Sequence, residues 1–147
     1  MYPLTAAQWG KTGRQTGRQA RGGAGMTGHV MLIEDEPNIT EALRFILGRD
    51  GWHVTTHADG ATALAEVGLR KPDVLILDLM LPGASGLDIL HGLRADPATV
   101  QLPVLMLTAK GQERDRAAAE AAGVTSFMTK PFANAEIVAR VREMARP

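Results

Sequence analysis

The sequence predicts an α/β protein: a doubly wound, five-stranded parallel sheet in the order 2-1-3-4-5, with helices on both faces. Three observations lead there. The runs 30–33 (VMLI), 74–77 (VLIL) and 104–107 (VLML) are continuously apolar, as strands covered on both faces are. Stretches with apolar residues at helical spacing lie between them. Strand and helix alternate strictly, which requires parallel pairing, and right-handed crossovers then favour the doubly wound order.

Taken in order, the first strand ends in Glu34-Asp35-Glu36-Pro37. Pro37 opens a helix at a position where its missing N–H costs nothing. Ile39, Ala42, Leu43, Ile46 and Leu47 then form one apolar stripe, broken by Asp50-Gly51. A short, weaker strand runs from Trp52 to Thr56. Asp59-Gly60 turns and caps a helix through Leu64 and Val67 to about Leu69. The third strand ends at Asp78, and Ser85 with Asp88 three residues on has the form of a capping box. Leu87, Leu90 and Leu93 are expected on the inward face of that helix. Pro103 precedes the fourth strand, which ends at Thr108. An Ala-rich helix over 112–122 stops at Gly123, and Val124 to Thr129 reads as the fifth strand. After Lys130-Pro131-Phe132 the last helix carries Ile137, Val138, Val141 and Met144. This alternation resembles the flavodoxin-like arrangement.

The 147 residues suit about one domain, and 45% hydrophobic content is enough for a buried core. Without cysteine there is no disulfide framework, thiolate zinc site or cysteine nucleophile, which fits a reducing cytoplasm. The apolar runs are strand-sized, far short of a membrane span. Net charge is zero, but residues 1–27 carry Lys11, Arg14, Arg18 and Arg21 and no acid, leaving 12 basic against 16 acidic residues elsewhere. This segment reads as a disordered basic leader, with Met26 an alternative start. Gly10-Lys11-Thr12 lacks the earlier glycine of a nucleotide-binding loop. Asn38-Ile39-Thr40 fits a glycosylation sequon but falls on a helix, and His29, His53, His57 and His91 show no ligand pattern. No organic cofactor is expected.

Ligands of open parallel sheets bind beyond the C-terminal strand ends, near the reversal of strand order. Glu34 and Asp35, Asp78, Thr108 and Lys130 all fall there. Clustered carboxylates raise one another's pKa unless a cation intervenes, and Mg²⁺ held by one or two carboxylates meets that need. Asp35 and Asp78 are the expected direct ligands, with Glu34 acting through a water. A carboxylate can attack phosphorus to give an acyl phosphate, whose oxygens Lys130 and the Thr108 hydroxyl would then stabilise.

The segments 32–37 (LIEDEP), 73–83 (DVLILDLMLPG), 107–109 (LTA) and 129–132 (TKPF) resemble the signature of response-regulator receiver domains, and the resemblance covers about residues 29–146. It implies a receiver domain at 28–147 whose Asp78 takes a phosphoryl group from a histidine kinase or phosphotransfer protein. It adds the backbone carbonyl of Met80 to the metal ligands and a cis Lys130–Pro131 bond. Ala109 leaves access to the site, and Met80 and Lys110 tune acyl-phosphate lifetime. Phe127 occupies the switch-aromatic position, although on the residues alone it is equally an ordinary core side chain. The implied readout is the face formed by the fourth helix, fifth strand and fifth helix, through which a downstream protein or a second copy would bind. Transcription-factor receivers that dimerise there usually carry two acids where this chain has Thr125-Ser126. Arg116, Glu136 and Arg140 are retained, but Arg140 loses its acidic partner. A stand-alone signalling switch that hydrolyses its own phosphate slowly, without direct DNA or membrane binding, is the leading expectation. The rivals are a haloacid-dehalogenase-like Mg²⁺ phosphatase, which wants a second carboxylate where Met80 stands, and a receiver-shaped interaction module that is never phosphorylated.

Overall fold

The computed structural model describes residues 28–109 and 112–146. The leader 1–27, with Met26, lies outside the described residues, as do Lys110 and Pro147. Among the described residues, five strands, β1 (Gly28–Ile33), β2 (Trp52–His57), β3 (Val74–Asp78), β4 (Val104–Thr108) and β5 (Ser126–Thr129), alternate with five helices. The helices are α1 (Pro37–Arg49), α2 (Ala63–Arg70), α3 (Gly86–Ala95), α4 (Glu113–Ala121) and α5 (Asn134–Met144). The sheet order is β2-β1-β3-β4-β5 and every pairing is parallel, as the alternation predicts.

Period-two alternation along each strand divides the core into two layers. Met31, Ile33, Leu75, Leu77, Val104, Met106 and Phe127 face α2, α3 and α4, meeting Val67, Ile89, Leu90, Leu93 and Ala119. Val30, Leu32, Val74, Ile76, Leu105, Leu107 and Met128 face α1 and α5, meeting Leu43, Leu47, Ile137 and Val141. Each fully buried side chain of this kind contributes about 1.5–3 kcal/mol of transfer free energy. The central strands are therefore apolar without interruption because neither face meets water.

Local chemistry sets the ends. Pro37 stands in the first turn of α1. Asp59 accepts the Ala61 N–H at 2.9 Å and starts a 3-10 turn (Gly60–Thr62) that runs into α2. Ser85 caps α3 by accepting the Asp88 N–H at 3.1 Å. The Lys130–Pro131 peptide is cis. Among the described residues no helix is long and apolar enough to cross a membrane.

Some local expectations are corrected. Ile89, not Leu87, is the buried companion of Leu90 and Leu93; Leu87 is only partly covered. Ala42 faces solvent, so the buried part of α1 is Leu43 and Leu47. β1 begins at Gly28, because the His29 N–H finds the Asp73 carboxylate at 2.7 Å, and Gly28 and His29 pair with Trp52 and His53 of β2. β5 begins only at Ser126: the Val124 N–H is spent on the carbonyl of Ala119, in α4.

Candidate functional site

The sheet delivers its polar strand ends to one edge. Glu34 and Asp35 follow β1, Asp78 closes β3, Thr108 closes β4 and Lys130 follows β5. Register does the positioning: Ile33 pairs with Leu77, Asp78 with Leu107, and Thr108 with Thr129. Main-chain bonds extend the order past the strands, from Leu79 N–H to Leu107 O at 2.8 Å and from Lys130 N–H to Thr108 O at 2.8 Å.

Carboxylate oxygens of Glu34, Asp35 and Asp78 lie within 4.8 Å of one another. Glu34 and Asp78 are buried, 2% and 5% exposed, whereas Asp35 faces solvent. The Lys130 ammonium lies 3.0 Å from Glu34 Oε1, 3.6 Å from Asp78 Oδ1 and 3.9 Å from Glu36 Oε1. Thr108 is buried at the end of the adjacent strand, one residue past the Asp78–Leu107 pair. Five of the residues selected from sequence thus share one site. The sixth, Met80, has an exposed side chain, and its backbone N–H bonds to the Asp78 carboxylate.

The electrostatics follow from this crowding. Burial first, then the charge of Glu34, pushes the Asp78 carboxyl up to about 6; Lys130 and the Met80 N–H pull the other way without prevailing. Burial alone would lower the Lys130 ammonium, but the hydrogen bond to Glu34 and the charges of Asp78, Glu34 and Glu36 hold it above its ordinary value. One ammonium does not balance three carboxylates. An all-oxygen, net-negative donor set of this kind fits a hard divalent cation such as Mg²⁺.

Two neighbours carried no role in the sequence reading. Glu36 reaches the Lys130 ammonium, and its N–H donates to Glu34 Oε2 at 3.1 Å, closing a local turn around the buried acid. His57 lines a cleft of about 440 Å³ with Asp35, Thr40, Glu41 and Thr56, and its Nε2 is 2.7 Å from Thr62 Oγ1. Glu36 was legible as the third acid of an acidic run. Nothing in the local pattern marks His57. Beyond the site, Phe127 is buried with the Arg116 guanidinium 4.8 Å from its ring centroid. Arg140, short of the acid expected on β5, donates to Ser126 Oγ at 2.7 Å and lies 3.6 Å from Glu136.

A parallel sheet in this order, with acids at the ends of its first and third strands and a lysine after its fifth, is a doubly wound α/β fold with a charged site at the carboxyl edge of its sheet. The chain belongs to the response regulator receiver domain family, whose model matches residues 30–142. TcrX of Mycobacterium tuberculosis is 44% identical over 117 residues, which are 80% of this chain and 49% of TcrX. The chain spans about half the length of the curated relatives it matches. Among solved structures, a candidate response regulator from Chloroflexus aurantiacus J-10-fl superposes with a TM-score of 0.77 at 34% identity, over 80% of this chain and 97% of that one. The receiver domain of the sensor histidine kinase PA1611 from Pseudomonas aeruginosa PAO1, solved with magnesium coordinated in its active-site cleft, superposes with a TM-score of 0.74. It is 27% identical over 80% of this chain and 97% of its own. The chain is a receiver domain of two-component signalling, a class whose members work with histidine kinases and bind Mg²⁺.

Proposed function

We propose that Asp78 is the phosphoacceptor of this receiver, a cytoplasmic protein charged by a phosphohistidine on a histidine kinase or phosphotransfer protein. The observation that carries the reading is the placement of Asp78: buried at the end of β3, among the oxygens of Glu34 and Asp35, with an ammonium 3.6 Å away. We take residues 28–147 as the receiver module, with the basic segment 1–27 outside it.

An Asp78 carboxylate oxygen attacks the donor phosphorus, and the P–N bond breaks with its electron pair returning to the imidazole. Asp35, Asp78 and the Met80 carbonyl would hold Mg²⁺, with Glu34 behind a water, and the ion supplies positive charge against the phosphoryl oxygens. Lys130 pairs most closely with Glu34 before reaction and turns towards the phosphoryl group as charge arrives there. The Thr108 hydroxyl donates to a phosphoryl oxygen. Its movement vacates space for Phe127, and that rearrangement is read by a protein partner, or a second copy, on the α4–β5–α5 face. Ala109 leaves the approach open, and the exposed Met80 side chain flanks it. Turnover is limited to uptake and slow release of one phosphoryl group.

The test is incubation with a small-molecule phosphodonor and Mg²⁺, followed by intact mass. A gain of ~80 Da that disappears with base and in Asp78→Asn is expected for an acyl phosphate. No gain would leave an interaction module, and rapid multiple turnover on phosphate esters would indicate a hydrolase.

A further inference from the structure

The loop that follows Asp78 is shaped from outside by a residue eighteen positions upstream. Gly60, in the β2–α2 connection, is buried and donates its N–H to Pro82 O at 2.9 Å. A Cβ placed on Gly60 would meet Ala84 O at 2.7 Å, Pro82 O at 2.8 Å and Ala84 N at 3.0 Å, all main-chain atoms. The contact is reciprocal. Gly83 has φ +88, and a Cβ there would meet Asp59 Oδ1 at 2.8 Å and Ala61 N at 2.9 Å, which are the cap and the first bonded amide of the 3-10 turn. Two backbones therefore interlock through two absent side chains.

The far ends of the same loop are anchored at the site. Leu79 N–H bonds to Leu107 O, Gly86 N–H bonds to Leu79 O at 2.7 Å, and Met80 N–H bonds to the Asp78 carboxylate. Pro82 is two residues from Met80, so the Gly60 bond to Pro82 O holds the loop close to the Met80 peptide. A side-chain atom on Gly60 cannot be absorbed by a flexible neighbour, because the atoms it strikes are backbone. One of the two backbones must therefore shift, and a shift of this loop at Pro82 falls two residues from the Met80 peptide.

We propose that Gly60 is a positioning residue for the metal site, holding the loop so that the Met80 carbonyl and the Asp78 carboxylate face one cation together. This rests on the reading of Asp35, Asp78 and Met80 as Mg²⁺ ligands. Outer residues that orient ligands typically change metal affinity by about 10–100-fold, and the lower end applies to a single carbonyl among several oxygens.

Calorimetric Mg²⁺ titration of wild type and Gly60→Ala tests it, with Gly68→Ala as control, since a Cβ there meets nothing within 4 Å. Gly60→Ala is expected to weaken Mg²⁺ binding about tenfold while folded by circular dichroism, with Gly68→Ala unchanged. Phosphoryl uptake by Gly60→Ala should require more Mg²⁺ for half-maximal rate and recover the wild-type plateau, a split that a loss of fold would not produce. Amide hydrogen exchange supplies a wild-type measurement that needs no variant. By linkage, Mg²⁺ should slow exchange of the Gly60 N–H, which is spent on Pro82. Equal Mg²⁺ affinity in Gly60→Ala, or Gly60 exchange indifferent to the ion, overturns the proposal and leaves the metal site standing. Absence of Mg²⁺ binding in wild type overturns both.

Discussion

Lys130 is the residue on which the acidic site balances. Its ammonium serves Glu34, Asp78 and Glu36 at once, and Glu34 is almost wholly enclosed. Removing one partner of a buried pair leaves the other charge unpaired in a poor solvent. Lys130→Met is therefore expected to destabilise the fold by roughly 2–4 kcal/mol in metal-free buffer, read as a lower urea midpoint. Asp78 acts in the opposite direction. Its folded carboxyl titrates at about 6 against an ordinary 3.8, so the native state keeps this proton longer than the unfolded chain. The contribution is favourable below 3.8 and is lost as pH rises through about 6. Asp78→Asn removes that loss. Without Mg²⁺ its melting temperature should exceed wild type at pH 7 and converge towards it near pH 4, and a uniform offset at all pH values would contradict the assignment.

At the level of single elements, α3 joins a sound cap to a crowded seat. Ser85 accepts the Asp88 N–H, and Ile89, Leu90 and Leu93 carry the helix into the core. Ser85→Ala should cost about 1 kcal/mol in chemical denaturation through the lost cap. Ala84 O and Pro82 O, just before the helix, are the atoms pressed against Gly60. The element that starts α3 is thus also the one that shapes the site, which ties capping to chemistry. On β5 and α5, Arg140 is engaged by Ser126 and Glu136 within its own chain. That engagement holds the guanidinium within the chain, and an ion pair to a second copy would have to displace it.

Across the whole molecule, the sheet separates two titrating regions at opposite strand ends. Asp78 lies at the C-terminal edge; His29 lies near the N-terminal edge, its Nε2 2.7 Å from Thr55 Oγ1 and its ring centroid 5.2 Å from that of His53. Burial first, then the neighbouring charges of His53 and Arg70, lowers His29 from 6.5 to about 4. The unfolded chain takes up this proton first, so the contribution of His29 is complete above 6.5 and is lost as pH falls towards 4. Thermal stability should drop over that window by more in wild type than in His29→Gln, on the order of 2 kcal/mol. Equal pH profiles would remove His29 from the account.

Element order, the two-layered sheet and the strand-end positions of Glu34, Asp35, Asp78, Thr108 and Lys130 were all legible in the linear sequence. The reason is that hydrophobic period is a local property: unbroken VLIL and VLML runs of strand length, bounded by turn residues, suit a sheet covered on both sides. Choices among distant neighbours were not legible. Lys130 meets Glu34 across 96 residues of chain, and it rests nearer Glu34 than Asp78. Ile89 displaces Leu87 from the core because the angle at which α3 packs decides which side of the stripe is covered. Gly60 looked like ordinary turn chemistry beside Asp59, and only the folded chain shows a backbone pressed where its side chain would be. Sequence alone determined which groups reach the sheet edge, through periodicity and strand termination. Tertiary structure decided which of them touch, since contact depends on register, helix docking and the thickness of the side chains between.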